Sequence, residues 1–141
     1  MPKLKIIAVG KIKEAYIQEG IDEFTKRLKP FCDLEIIELK DKGITEDSKA
    51  IEKYLSNNSF ILDANGRKFS SEEFAEFIKK QDRQVTFIIG GPEGIAKEVK
   101  QKFNQISLSN MTFTHEMARL FLAEQLYRSF MIINNRSYYN K

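Results

Sequence analysis

"QVTFIIGGPEG", residues 84–94, carries an apolar run straight into two glycines, a proline, an acid and a third glycine. The run Val85–Ile89 shows no polar alternation, so it reads as a central strand covered on both faces. A strand of that kind, followed by a glycine turn and the helix-period segment "GIAKEVKQKF" (94–103), is the repeating unit of a parallel α/β sheet. Glycine at 90 and 91 lets backbone approach a ligand closely because no Cβ intervenes, but a plain strand-to-helix turn needs the same residues. The dinucleotide fingerprint G-x-G-x-x-G is excluded, since Pro92 occupies the second glycine position, and no Gly-Lys-Ser/Thr follows to make a phosphate loop. Pro92 fits at or just before the first turn of the following helix. Taken alone, the stretch is compatible with a ligand loop and with a tight turn.

Outward from this stretch, strand-length apolar runs alternate with helical periods, giving a mostly parallel sheet flanked by helices. "LKIIAVG" (4–10) reads as the first strand and "LEIIEL" (34–39) as the second. Between them, "EAYIQEGIDEFTKRL" (14–28) is a helix with Tyr16, Ile17, Ile21, Phe24 and Leu28 on one stripe. "LKDKGITEDSK" (39–49) reads as an exposed polar connector, with a short helix over Ser48 to Leu55. "FILDANG" (60–66) is a strand closed by an Asn65-Gly66 turn, and Ser70 with Glu73 forms a capping box for the next helix. "ISLSNMTFT" (106–114) is a hydroxyl-rich strand or extended loop, and Thr114 is placed to cap the last helix. That helix carries one apolar stripe at Ala118, Leu122, Leu126 and Phe130 and a second at Met117, Leu120, Phe121, Tyr127 and Met131. A helix apolar on two sides is buried on two sides, either against a second copy of the chain in a symmetric dimer or between elements of one chain.

With 141 residues, 42% hydrophobic and 30% charged, the chain has the composition of one globular domain spanning 1–141 with its own core. No apolar run is long enough to span a membrane, and the N-terminus lacks a secretory apolar segment, so a cytoplasmic protein is expected. Cys32, the only cysteine, excludes an internal disulfide and a cysteine metal cluster. Neither a metal-ligand spacing nor a Ser-His-Asp order is present, so metal-dependent and hydrolytic chemistry are not expected. The net charge of +3 permits a polyanionic partner without demanding one.

Few residues remain to carry chemistry. His115, the only histidine, stands at the expected helix start and suits a structural hydrogen bond as well as a site role. Arg119 lies one turn further on, and Glu124 precedes Arg128 at the spacing of a plain helix ion pair. The tail "NNRSYYNK" (134–141) sets two tyrosines between cations, a pattern that grips phosphate or stacks a base, or simply frays.

The motifs in order identify a resemblance. "FIIGGPEG" (87–94) followed by "LSNMTFTHEMARLFLAEQLYR" (108–128), with "KLKIIAVGKIKEAY" (3–16) and "EFTKRLKPF" (23–31) upstream, resembles the ribosomal large-subunit pseudouridine N3-methyltransferases, minimal members of the SPOUT superfamily. The likeness covers nearly the whole chain. It implies an α/β domain with a C-terminal trefoil knot in which S-adenosyl-L-methionine lies bent. The family's cofactor positions fall on Leu62, Gly91, Ser109, Asn110, Met111, Thr112, Phe113 and Thr114. It also implies a homodimer with the active site at the interface, and a pseudouridine of 23S rRNA in the assembled ribosome as substrate. Arg119, Arg128, Arg136 and Lys141 become candidates to stabilise an anion or a phosphate, and Tyr138 or Tyr139 a candidate to position the base.

This chain departs from the family pattern in three places. Thr114 replaces a usual proline, residues 40–58 are shortened, and Ser137, Tyr138 and Tyr139 stand where the family commonly has Pro-Tyr-His. No tail histidine is therefore available as the base. Another SPOUT specificity, such as a tRNA, and a ribosome-binding module without turnover are the competing expectations.

Overall fold

The computed structural model describes residues 1–54, 56 and 58–138. Five parallel strands form one sheet in the order β2-β1-β4-β3-β5, so all of their carboxyl ends lie along one edge. The strands are β1 (Lys3–Val9), β2 (Asp33–Leu39), β3 (Ser59–Lys68), β4 (Val85–Ile89) and β5 (Asn104–Ser107). The helices are α1 (Ala15–Leu28), α2 (Ile44–Glu52), α3 (Ser71–Lys79), α4 (Lys97–Lys100) and α5 (His115–Ile133). Every residue of β4 is buried, as expected of a strand with neighbours on both edges and helices on both faces. On one face Phe87 and Ile89 meet Leu28 of α1, Phe74 and Ile78 of α3, and Leu122 and Leu126 of α5. On the other, Ile88 packs with Ile7 and Val9 against Ile51 of α2 and Val99 of α4.

Ser70 accepts the Glu73 N–H at 3.1 Å while Glu73 accepts the Ser70 N–H at 2.7 Å, the capping box read from the sequence. Thr114 likewise caps α5, its Oγ1 accepting the Met117 N–H at 3.2 Å.

Four expectations about element bounds and turns are corrected. The 39–49 stretch is not all connector: α2 begins at Ile44, launched from Gly43 at φ 96°, and it buries Asp47 and Ser48. The expected helix up to Leu55 ends at Glu52, and Leu55 itself lies outside the described residues. The expected 94–103 helix shrinks to the four residues of α4, because Gly91-Pro92-Glu93-Gly94 is a turn, closed by the Gly94 N–H on the Gly91 carbonyl at 2.9 Å. Pro92 therefore occupies the second position of that turn, where its fixed φ fits. Asn65-Gly66 is no turn either; β3 continues to Lys68, with an irregularity between Leu62 and Arg67 opposite β5. Gly66 is required there by close approach, since a Cβ on it would fall 2.6 Å from the backbone of Gln105 and Ile106.

The two-sided helix α5 lies between α1 and α3 of its own chain. Leu120 packs on Gly20 so closely that a Cβ there would stand 2.8 Å from its Cδ1, and Tyr127 meets Phe24 with ring centroids 5.9 Å apart. Much of the second stripe is thus covered within one chain, so the stripe alone does not call for a second copy. Tyr16, expected on the buried stripe of α1, is instead 64% exposed.

Candidate cofactor and RNA site

At the carboxyl edge of the sheet, where ligands of open α/β sheets sit, a cavity of about 600 Å³ opens between the middle of β3, where its pairing with β5 is interrupted, the end of β4 and the loop after β5. Leu62 and Ile89 contribute apolar floor, Gly90 to Ile95 form one wall, and the loop after β5 forms the other. Asp63 and Lys100 pair across its margin at 3.1 Å. Of the residues expected to hold the cofactor, Leu62, Gly91, Ser109, Met111, Thr112, Phe113 and Thr114 all line this cavity; Asn110 is exposed and does not.

The loop after β5 takes its shape from its own hydroxyls. Ser107 Oγ donates to the Ser109 carbonyl at 2.7 Å and accepts the Ser109 N–H at 3.2 Å, and Ser109 Oγ accepts the Met111 N–H at 3.0 Å. Such side-chain bonds fix an irregular backbone that no ladder supports. Met111 is left 74% exposed at the rim. Gly91 is buried, and a Cβ there would point at β1, 2.9 Å from Val9 Cγ1, so its hydrogen lets the loop lie flat against the sheet.

His115 lines the cavity, and its buried Nδ1 makes no hydrogen bond. Next to it, Glu116 turns away and accepts the N–H groups of Lys13 and Glu14 at 3.0 and 3.2 Å. It thereby supplies α1 with the cap that its own N-terminus lacks. Burial pushes the Glu116 carboxyl up, but those two N–H bonds, with His115 and Arg119, outweigh it and hold the group below its ordinary value.

The cationic candidates lie elsewhere. Arg119 is 2% exposed, donating to Glu38 Oε2 at 2.6 Å and to the Gly10 carbonyl at 3.0 Å. It ties α5 to the ends of β1 and β2 and does not line the cavity. Arg128 pairs with Glu124 at 2.8 Å, the plain helix pair, and its guanidinium lies 4.8 Å from the Tyr138 ring centre. Thirteen residues separate it from His115, roughly 20 Å along a helix. Arg136 is exposed and stacks over Phe31 at 5.1 Å. Tyr139 and Lys141 lie outside the described residues. The fold therefore gathers the cofactor candidates into one cavity but leaves the arginines away from it. Glu38, Asp63, Lys100 and Glu116 were not legible as participants, because each meets its partner across a long stretch of chain.

Asp47, buried behind Gly91, was also missed. Burial raises its carboxyl above the ordinary value, with Asp41 and Glu93 adding to the rise, although its Oδ1 accepts the Lys42 N–H at 2.8 Å. The folded state thus holds the proton more tightly than the unfolded chain. The stability contributed by that protonation is complete below the ordinary carboxylate range and is lost as pH rises through the folded value. Asp47→Asn keeps the acceptor for Lys42 and should remove this loss, so melting at neutral pH should be unchanged or higher and the gain on mild acidification smaller; thermal melts across pH check it. Cys32, by contrast, is buried to a thiol value of about 11, first by desolvation and then by Asp33, which suits a core residue.

Among the described residues, no helix is long and apolar enough to cross a membrane, and no three metal-ligating side chains converge. A family model described as "Predicted SPOUT methyltransferase" matches residues 2–139. The ribosomal RNA large subunit methyltransferase H of Acetivibrio thermocellus is 43% identical over 157 aligned positions, covering 97% of this chain and 99% of that protein. The protein of the same name from Thermodesulfovibrio yellowstonii is 44% identical over 147 positions, covering 99% of each. A solved tRNA methyltransferase of Aquifex aeolicus matches with a TM-score of 0.56 at 17% identity, across 89% of this chain and 69% of that one, a likeness of fold alone. The chain belongs to the SPOUT methyltransferases, in the family whose relatives are named ribosomal RNA large subunit methyltransferase H.

Proposed function

We propose that this chain methylates N3 of a pseudouridine in the 23S rRNA of the assembled ribosome, using S-adenosyl-L-methionine, in the cytoplasm. The observation that carries the reading is the single cavity between the middle of β3, the end of β4 and the loop after β5, lined by nearly all of the residues matched to the family's cofactor positions. Those residues fit the cofactor: Leu62, Met111 and Phe113 offer apolar contact, and the glycines at 90 and 91 let the loop that forms one wall pack tightly on itself and on β1. When bound, S-adenosyl-L-methionine supplies an electrophilic methyl group on a positively charged sulfur. The chain's own task is to orient the acceptor nitrogen in line with that methyl and to ease the loss of the N3 proton to solvent. Arg128, Arg136 and Tyr139 are the residues proposed for anion stabilisation and base positioning. Arg119 is spent on Glu38 and Gly10, which favours a structural role.

A homodimer belongs to the same reading. In one chain Tyr138 and Arg136 fold back on Tyr127 and Phe31, near the far end of α5 from His115, so the tail of a second copy is the natural route for Tyr139 to a cavity. A trefoil thread is likewise proposed. It is supported by the position of β5 outside β3 and by the return of α5 between α1 and α3.

Labelled-methyl transfer tests the function on a panel of assembled ribosomes, free 23S rRNA carrying the pseudouridine, and tRNA. With a net charge of only +3, nonspecific grip on RNA is weak and a shaped ribosomal surface must supply affinity. Transfer to ribosomes should exceed that to free rRNA by on the order of 10-fold or more. Equal rates would remove the assembled particle as the substrate, transfer to tRNA alone would favour the other SPOUT specificity, and no transfer would favour a binding module.

A further inference from the structure

Beside the cofactor cavity lies a second one of about 220 Å³, and Leu108 and Phe113 line both. Its walls are aromatic: Phe113 and Phe121 pair at 4.8 Å between ring centroids, and Phe69 and Phe74 pair at 5.8 Å. Four polar residues also line it, Ser70, Ser71, Ser107 and Gln125. Ser71 Oγ donates to Gln125 Oε1 at 2.9 Å, and Gln125 Nε2 donates to Glu124 at 3.1 Å, which leaves the amide one further N–H and one further lone pair. Beyond the wall formed by Phe69, the exposed Arg67 sets its guanidinium 4.6 Å from that ring's centre. Arg128 stands on the same stripe of α5 as Phe121 and Gln125, one turn further on.

This constellation selects a ligand class. Flat aromatic walls with one amide edge suit a flat heterocycle, and the volume lies below the range of about 300–1,000 Å³ that larger ligands occupy. Proteins that hold unpaired nucleobases stack them on such side chains and read their edges with amides, while a cation meets the backbone. The shared wall of Leu108 and Phe113 sets any occupant next to the methyl donor's cavity. We infer that this second cavity is the acceptor-base pocket, in which a pyrimidine turned out of the RNA stacks on Phe121, meets the tilted ring of Phe113 at its edge, presents an N–H/C=O edge to Gln125 and leaves its phosphate on the side of Arg67. The inference rests on the reading of the chain as an RNA methyltransferase.

The experiment uses the full-length protein with ribosomes, measuring methyl transfer and, by calorimetry, donor affinity for Phe121→Leu, Phe121→Trp and Gln125→Leu. Phe121→Leu and Gln125→Leu should raise the KM for ribosomes about 10-fold or more with donor affinity unchanged, and Phe121→Trp, which keeps a stacking face, should stay near wild type. In the unsubstituted protein, RNA carrying 4-thiouridine at the acceptor position should cross-link to the peptide holding Phe121, an arm independent of whether any variant folds. Wild-type KM in both Phe121→Leu and Gln125→Leu would overturn the assignment. A cross-link mapped only to the tail or to another surface would overturn it too. Failure of the unsubstituted protein to methylate any RNA would instead remove the underlying reading.

Discussion

Glu38→Ala should lower stability by about 3 kcal/mol, although Glu38 lies at the margin of the protein and touches no part of the cavity. The reason is its partner. Arg119 is almost wholly buried, always charged, and held by Glu38 and the Gly10 carbonyl, so removing the carboxylate leaves a buried cation without its counter-charge. In a chain of this length the loss corresponds to a melting temperature lower by on the order of 10 °C. The double variant Glu38→Ala/Arg119→Met should recover much of it, because a long apolar side chain fills the same space without a charge to compensate. Differential scanning calorimetry of the two proteins decides the matter. A Glu38→Ala protein as stable as its parent would show that Arg119 does not depend on the pair, and would reopen it as a group free to meet substrate.

Gly91→Val should weaken S-adenosyl-L-methionine binding by about 10-fold or more, the scale set by an overpacking cost of about 1–3 kcal/mol that is relieved by moving the cavity wall. The route is indirect. A Cβ at 91 does not enter the cavity; it meets Val9 Cγ1 at 2.9 Å, with Asp47 Oδ2 behind at 3.8 Å. Both neighbours are packed, so the Gly91–Gly94 turn must lift from β1 and carry the cavity wall with it. Gly91 has no positive φ, hence the effect is steric rather than conformational, and Gly91→Ala should already show part of it. Isothermal titration with the donor measures both, beside melts that confirm folding. Parental affinity in folded Gly91→Val would take the glycine turn out of the cofactor site.

What the sequence made legible was whatever a local pattern encodes. The all-buried β4, the Ser70–Glu73 box and the Thr114 cap are read from neighbours within a few residues, and each is present. Helix α2 was expected, but four residues late, at Ser48 rather than Ile44, because its first turn is polar and follows a glycine at positive φ, which looks the same as a loop. Asn65-Gly66 misled for a related reason: glycine there answers a close approach by β5, a demand made by residues some forty positions away. The cofactor candidates were picked out through family motifs, and all but Asn110 line one cavity, but the partnership of Arg119 with Glu38 spans 81 residues, and no periodicity announces it. The aromatic walls of the second cavity come from α3, the segment before it, the loop after β5 and α5, so only the fold assembles them.

Nucleoside mass analysis of 23S rRNA tests the central claim most directly, using ribosomes that lack the modification, incubated with this protein and S-adenosyl-L-methionine. The account predicts one additional methyl group, carried by a pseudouridine at N3 and absent when either the protein or the donor is withheld. A methyl group found on another nucleoside, or no methylated pseudouridine from protein that binds the donor, would contradict it.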